Sequence, residues 1–173
     1  MKKLLVVVDF QNDFVKGSLG FDGADKLDSI IVQKIRDYDG FDIVCTLDTH
    51  YENYLETNEG RNLPIEHCIK GCEGWEIYGK TGELLKEAKK FEKTTFGSLE
   101  LADYVKENKY DEIEFVGLVT NICIISNAVI AKAASPESKI IIDADAVGSY
   151  DEEMAKKAID IMKNLHMTIL NEG

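Results

Sequence analysis

The stretch Glu114-Phe-Val-Gly-Leu-Val-Thr-Asn-Ile-Cys123-Ile-Ile-Ser-Asn-Ala-Val-Ile-Ala131 carries a short apolar run into a glycine turn and out again as an alanine-containing segment. Glu112 to Val119 is β-branched and aromatic and too short for a helix, so it reads as a buried strand. Asn121 to Ala134 has the length and composition of a helix. Cys123 then falls in the first helical turn, with Thr120-Asn121 supplying a cap. A thiol there faces unpaired backbone N–H groups and the positive end of the dipole, which favour the thiolate and lower its pKa. For a single Cys, burial in the core is the plainer reading. The strand-to-helix turn, where a nucleophile can be exposed, favours a reactive one.

Other segments repeat the strand-then-helix alternation. Lys3 to Val8 is apolar on both faces, as in a parallel strand covered on both sides, and it stops at Asp9. Ala24 to Tyr38 has helical spacing, and Phe41 to Leu47 is a second strand that stops at Asp48. Gly82 to Lys89 reads as a short helix, Phe91 to Thr95 as a short strand near Lys93, and Ser98 to Asn108 as a helix capped by the Ser98 hydroxyl. Lys139 to Asp143, Asp151 to Leu165 and Met167 to Leu170 add a strand, an amphipathic helix and a last strand. The expected fold is α/β, a three-layer doubly wound sandwich with a mainly parallel six-stranded sheet and helices on both faces. With no repeat or linker-like tract, residues 1–173 read as a single domain.

Composition narrows the function classes. A net charge of −12 disfavours nucleic acid and anionic membrane surfaces as partners. The apolar run Leu4 to Val8 is too short to span a bilayer, and Met1-Lys-Lys leads into it without a cleavage pattern, so a cytoplasmic protein is expected. Cys45, Cys68, Cys72 and Cys123 show no CxxC spacing, which favours reduced thiols over a disulfide framework.

Doubly wound sheets bind ligands at the carboxyl ends of their strands. Asp9, Asp48, Lys93 and Cys123 can all converge there, and in the order 3-2-1-4-5-6 Asp9 and Cys123 are neighbours. Thr49 to Lys80 has no clear periodicity, and unstructured loops longer than about 15 residues are usually functional. It holds His50 and His67. With Asp48 these suit zinc, and also iron or manganese, although loop histidines without a metal are the plainer reading of the residues alone. Phe14, Trp75 and Phe96 are aromatic candidates for pocket walls, against core packing as the alternative.

Five motifs occur in order: Val8-Asp-Phe-Gln-Asn-Asp-Phe14, Asp48-Thr-His50, Leu63-Pro-Ile-Glu-His-Cys68, Glu92-Lys-Thr-Thr-Phe96 and Gly117-Leu-Val-Thr-Asn-Ile-Cys123. Together they resemble the isochorismatase-like cysteine hydrolases, and within them the nicotinamidases and pyrazinamidases. The resemblance implies a catalytic triad of Asp9, Lys93 and Cys123, and an oxyanion hole from the backbone N–H groups of Val119 and Cys123. It also implies a cis peptide between Leu118 and Val119. Asp48, His50 and His67 would bind a divalent metal that holds the pyridine nitrogen of the substrate. Glu59 is a further ligand, with Glu56 the alternative. Phe14 matches a pocket position, while Leu63 and Pro64 stand where the family commonly carries a tryptophan. The implied protein is a homo-oligomer that releases ammonia from a small amide, nicotinamide first. An N-carbamoyl amide hydrolase is the runner-up, and a catalytically silent binding module is a third reading. A phospho-receiver domain needs an acidic pair where Asp9-Phe10 stands, and a dinucleotide-binding domain needs the GxGxxG that the first loop lacks.

Overall fold

A computed structural model describes residues 1–173. Six parallel strands, β1 Lys3–Val8, β2 Asp42–Asp48, β3 Lys89–Lys93, β4 Glu112–Leu118, β5 Lys139–Gly148 and β6 Thr168–Leu170, form one sheet in the order β3-β2-β1-β4-β5-β6. The expected α/β architecture is therefore the observed one. Alternation along β1 shows why both faces are covered: Leu4, Val6 and Val8 enter one apolar cluster, Leu5 and Val7 the other. The first cluster packs under α5 Leu99–Asn108, α6 Ile125–Ala134 and α7 Glu152–Asn164, the second under α1 Asn12–Val15 and α2 Leu27–Asp37. All five of those β1 side chains are buried, each contributing about 1.5–3 kcal/mol as an upper estimate.

Several boundaries differ from expectation for tertiary reasons. The fourth helix, α4, spans Gly79–Leu84 instead of Gly82 to Lys89, because the Asp28 carboxylate in α2 accepts from the Lys80 and Thr81 N–H groups and fixes its start. β3 begins at Lys89, two residues early, because β2 pairs with Lys89 and Lys90, and it ends at Lys93. β5 runs past Asp143 to Gly148 through a register shift opposite Phe115 and Gly117. Thr49 to Lys80 is not featureless: it contains α3 Asn58–Asn62 and one-turn helices at Tyr54–Glu56 and Glu73–Trp75.

The turn at Cys123 also departs from a simple capped helix. Thr120–Ile124 is a π-turn that runs into α6, and its N-cap is Val119, with no side-chain cap. The Asn121 side chain instead accepts from the Ser149 hydroxyl at 2.6 Å. Leu118–Val119 is a cis peptide.

Candidate active site and metal centre

Asp9, Asp48, Lys93 and Cys123 all lie at the carboxyl end of the sheet, and all four are buried. Asp9 leaves β1 with φ 45°, its N–H bonded to the Thr46 carbonyl on β2. One carboxylate oxygen of Asp9 accepts from the Thr46 hydroxyl at 2.7 Å; the other lies 2.5 Å from Lys93 Nζ. Lys93 Nζ also donates to the Thr95 carbonyl at 3.0 Å and stands 3.6 Å from Cys123 Sγ and 3.6 Å from Asp48 Oδ1. A single ammonium thus joins the thiol, the Asp9 carboxylate and Asp48.

Burial governs the charges here. It pushes the Cys123 thiol up, and the Asp9 and Asp48 charges add to that while Lys93 opposes it. Lys93 is the nearby group that favours the thiolate. Burial likewise raises Asp9 above the ordinary carboxylate value, against the pull of Lys93 and Thr46. A carboxylate raised in this way is a better acceptor for a thiol proton.

The second cluster is assembled by the loop after β2. His50 N–H donates to the Cys68 carbonyl and Lys70 N–H to the His50 carbonyl, so the 67–70 segment runs alongside the end of β2 and brings His67 to His50. Thr57 caps α3 by accepting from Gly60 N–H at 3.0 Å, which places Glu59 opposite both imidazoles. Asp48 Oδ2 is 3.0 Å from His50 Nε2 and 3.2 Å from His67 Nε2, and Glu59 Oε1 is 3.6 Å from each. One donor atom from each of the four lies within 4.8 Å of the other three. Glu56 does not belong to this group.

These residues fit a divalent ion. Four donors at about 2.0–2.2 Å from a common centre stand roughly 3.3–3.6 Å apart, comparable to the separations found. His67 Nδ1 donates to the Ile65 carbonyl at 2.8 Å, which fixes the ring orientation and points Nε2 into the cluster. Burial disfavours the His67 imidazolium, but Asp48 and Glu59 outweigh it and raise the pKa to about 10. The same excess of negative charge would attract a metal cation.

A cavity of about 340 Å³ reaches both clusters, lined by Cys123 of the first and by Asp48, Glu59 and His67 of the second, with Val119 also in its wall. Phe14 and Phe96 line it. Trp75 does not: its indole N–H donates to the Thr49 hydroxyl at 2.9 Å, and its ring packs away from the cavity. Leu63, Ile65, Ile122 and Tyr150 line it instead. Sequence reading also missed Gln11 and Tyr54. The Gln11 amide clamps both backbone groups of Asp48, donating to its carbonyl and accepting from its N–H, each at 2.8 Å. Tyr54 packs its ring 4.7 Å from the His50 ring and 5.1 Å from that of His67. Gln11 lies within the Asp9-Phe10-Gln11 motif and so carried a signal, whereas Tyr54 had none.

The isochorismatase domain family matches residues 3–171. The chain belongs to that family. It is 30% identical over 168 residues to an uncharacterised isochorismatase family protein, PncA, of Bacillus subtilis (strain 168), covering 88% of this chain and 90% of that protein. The crystal structure of nicotinamidase/pyrazinamidase PncA from Bacillus subtilis superposes with a TM-score of 0.89 at 27% identity, covering 99% of this chain and 100% of that one. The pyrazinamidase of Pyrococcus horikoshii in complex with zinc gives 0.85 at 26% identity, covering 98% and 99%. The resemblance drawn from five ordered motifs is thus upheld for the family and for the isochorismatase-family fold.

Proposed function

We propose that this chain is a cysteine amidohydrolase that converts nicotinamide to nicotinate and ammonia, as one hydrolase domain over residues 1–173. The observation that carries this reading is Lys93 Nζ held between Asp9 and Cys123, with Cys123 lining an apolar cavity. The named activities of the similar nicotinamidase and pyrazinamidase support it.

In the proposed reaction Asp9 takes the Cys123 proton as sulfur attacks the amide carbonyl, forming the C–S bond. The C–N bond then breaks, and the amide nitrogen leaves as ammonia with the proton carried by Asp9. Water, deprotonated by Asp9, attacks the thioester; the C–S bond breaks, nicotinate departs and the thiol is restored. Lys93 holds Asp9 in place and offsets negative charge through both half-reactions. The backbone N–H groups of Val119 and Cys123 are assigned to the oxyanion. Asp48, His50, Glu59 and His67 would hold a divalent ion, zinc first and iron or manganese as alternatives, which when bound would supply Lewis-acid chemistry for the pyridine nitrogen. Phe14 and Phe96 would flank the ring.

As its setting we propose the cytoplasm, with no nucleic-acid or membrane partner and with self-association into a homo-oligomer. No helix is long and apolar enough to cross a membrane. Exposed Leu99 and Val129 on adjacent helices offer apolar surface for a second copy.

The test is ammonia release from nicotinamide, pyrazinamide, benzamide and an N-carbamoyl compound. Nicotinamide should turn over, and benzamide, lacking the ring nitrogen, should be far poorer. Turnover of the carbamoyl compound alone would move the chain to that substrate class, and no turnover of any would leave a binding module.

A further inference from the structure

Asn127 lies on α6 one turn beyond Cys123 and is 1% exposed, yet every polar atom of its side chain is engaged. Nδ2 donates to the Cys123 carbonyl at 2.8 Å and to the Phe96 carbonyl at 3.0 Å, while Oδ1 accepts from the Ser98 N–H at 3.0 Å. Two carbonyls on one side and an N–H on the other leave only one orientation for the amide. The segment it grips, Phe96 to Ser98, directly follows Thr95, whose carbonyl holds Lys93 Nζ. That segment is pressed tightly onto α6: a Cβ at Gly97 would come within 2.3 Å of the Ile130 side chain. One buried amide therefore ties the backbone of the thiol to the strap that carries an aromatic wall of the cavity, while the Lys93 contact is made by Thr95, outside the gripped residues.

We propose that Asn127 is a positioning residue, whose side-chain amide keeps Cys123 in register with Lys93 and Phe96. It touches neither substrate nor the reacting atoms. This inference rests on the reading of Cys123 as the nucleophile. The two arms of the amide have separate jobs. The Cys123 arm sets where the sulfur stands relative to Lys93. The strap arm sets the Phe96 wall. Misplacement of a reacting group by about 1 Å can cost on the order of 100-fold in rate, so the Cys123 arm bears on kcat and the strap arm on KM.

The arms can be separated by substitution. A threonine on a helix can donate its hydroxyl to the carbonyl four residues back, so Asn127→Thr keeps the Cys123 arm and loses the strap. Asn127→Ala loses both. The readouts are the rate of Cys123 alkylation by iodoacetamide at one fixed pH, and kcat and KM for nicotinamide. The full chain is used in a Cys72→Ser background, since Cys72 is exposed and, of the buried thiols Cys45, Cys68 and Cys123, only the last lines the cavity. The expected result is alkylation slowed about tenfold and kcat lowered about 10- to 100-fold in Asn127→Ala. Asn127→Thr should keep alkylation within about threefold of the parent and show its main defect in KM. Alkylation and kcat within about twofold of the parent in Asn127→Ala would overturn the proposal. So would a threonine variant slowed as much as the alanine one, because the amide would then be filling space. If Asn127→Ala does not fold, Asn127→Thr decides alone: alkylation retained with raised KM supports the proposal, and alkylation lost overturns it. Alkylation needs no substrate, so a parent protein inactive on nicotinamide would sink the substrate assignment and still leave Asn127 judged.

Discussion

Lys93 Nζ lies 2.5 Å from Asp9 Oδ2 with the two side chains 2% and 0% exposed, an ion pair almost wholly withdrawn from water. Removing one partner strands the other charge, which in buried pairs costs about 3–5 kcal/mol, whereas replacing both by neutral groups of similar shape can be nearly neutral. Asp9→Asn and Lys93→Met should therefore each lower the melting temperature, and the double variant should recover much of that loss. Activity should not recover, because the proton acceptor and the cation are both gone. Cys123→Ala should abolish turnover with little loss of stability, and adding it to either single variant should cost nothing more in rate, since the three act as a unit. A double variant that regains turnover together with stability would show that the pair is structural only.

Gln11 holds the backbone of Asp48 while His50 and His67 face its carboxylate. Gln11→Leu removes the clamp without removing a proposed ligand, and loss of such outer support typically weakens metal affinity 10- to 100-fold. Zinc binding followed by competition with a chromophoric chelator should show a shift of that size, and His67→Ala a larger one. Chelation of the parent should raise KM for nicotinamide more than it slows Cys123 alkylation. Equal zinc affinity in the parent and His67→Ala would remove the cluster as the metal centre.

The strands that present Asp9, Asp48 and Cys123 were legible because parallel strands buried on both faces read as continuous apolar runs; the first two stop at an aspartate, and the third leads into the turn that carries Cys123. What could not be read depends on contacts distant in the chain. The start of α4 is set by Asp28, more than 50 residues away, and Lys89-Lys90 join β3 only because β2 lies beside them. Trp75 failed as a pocket wall for the same reason, since the Thr49 hydroxyl 26 residues away turns its ring elsewhere. The thiol's raised pKa follows from full burial, which no local pattern around Cys123 reports. Whether Glu59 or Glu56 stands beside the histidines was open in the sequence, and α3 sets Glu59 Oε1 3.6 Å from both imidazoles.

Away from the site, Lys34 reaches across from α2 to Glu114 Oε1 at 2.8 Å and to Asp143 Oδ2, and Tyr38 donates to Glu114 Oε2 at 2.7 Å. Burial disfavours the Asp143 charge, but Lys34, Asn171 and the Asp145 N–H outweigh it and hold its carboxyl below the ordinary value. A carboxylate with a depressed folded pKa contributes stability that is present above its unfolded pKa and lost as pH falls through the folded one. Thermal melts from pH 7 to pH 3 should thus show an acid-side loss that Asp143→Asn reduces. Lys34→Ala, which leaves two buried carboxylates without their cation, should destabilise by about 3–5 kcal/mol at pH 7. An Asp143→Asn protein with the parent's acid slope would remove this residue from the acid response.

Gly117 sits on β4 directly opposite Val8 of β1 with φ 115°, and a Cβ there would stand 2.1 Å from the Val8 carbonyl oxygen and 2.8 Å from the Val8 nitrogen. Neither strand can yield: β1 is held between β2 and β4, and β4 between β1 and β5. The contact is also one residue from Asp9 on one strand and two from Val119 on the other, so a displacement there moves the proposed base and an oxyanion donor together. Gly40 provides the control, since its φ is 84° but nothing lies within 4 Å of where its Cβ would be. Gly40→Ala should cost only the conformational penalty of about 1 kcal/mol, with activity unchanged. Gly117→Ala carries that penalty and the clash, so it should destabilise by more than about 3 kcal/mol and lower kcat in the fraction that still folds. Denaturant melts and turnover per folded molecule measure the two effects separately. Equal melting midpoints and equal turnover for the two alanine variants would mean that β1 and β4 can part at this point without disturbing Asp9, and the close approach of the strands would then have no part in placing the site.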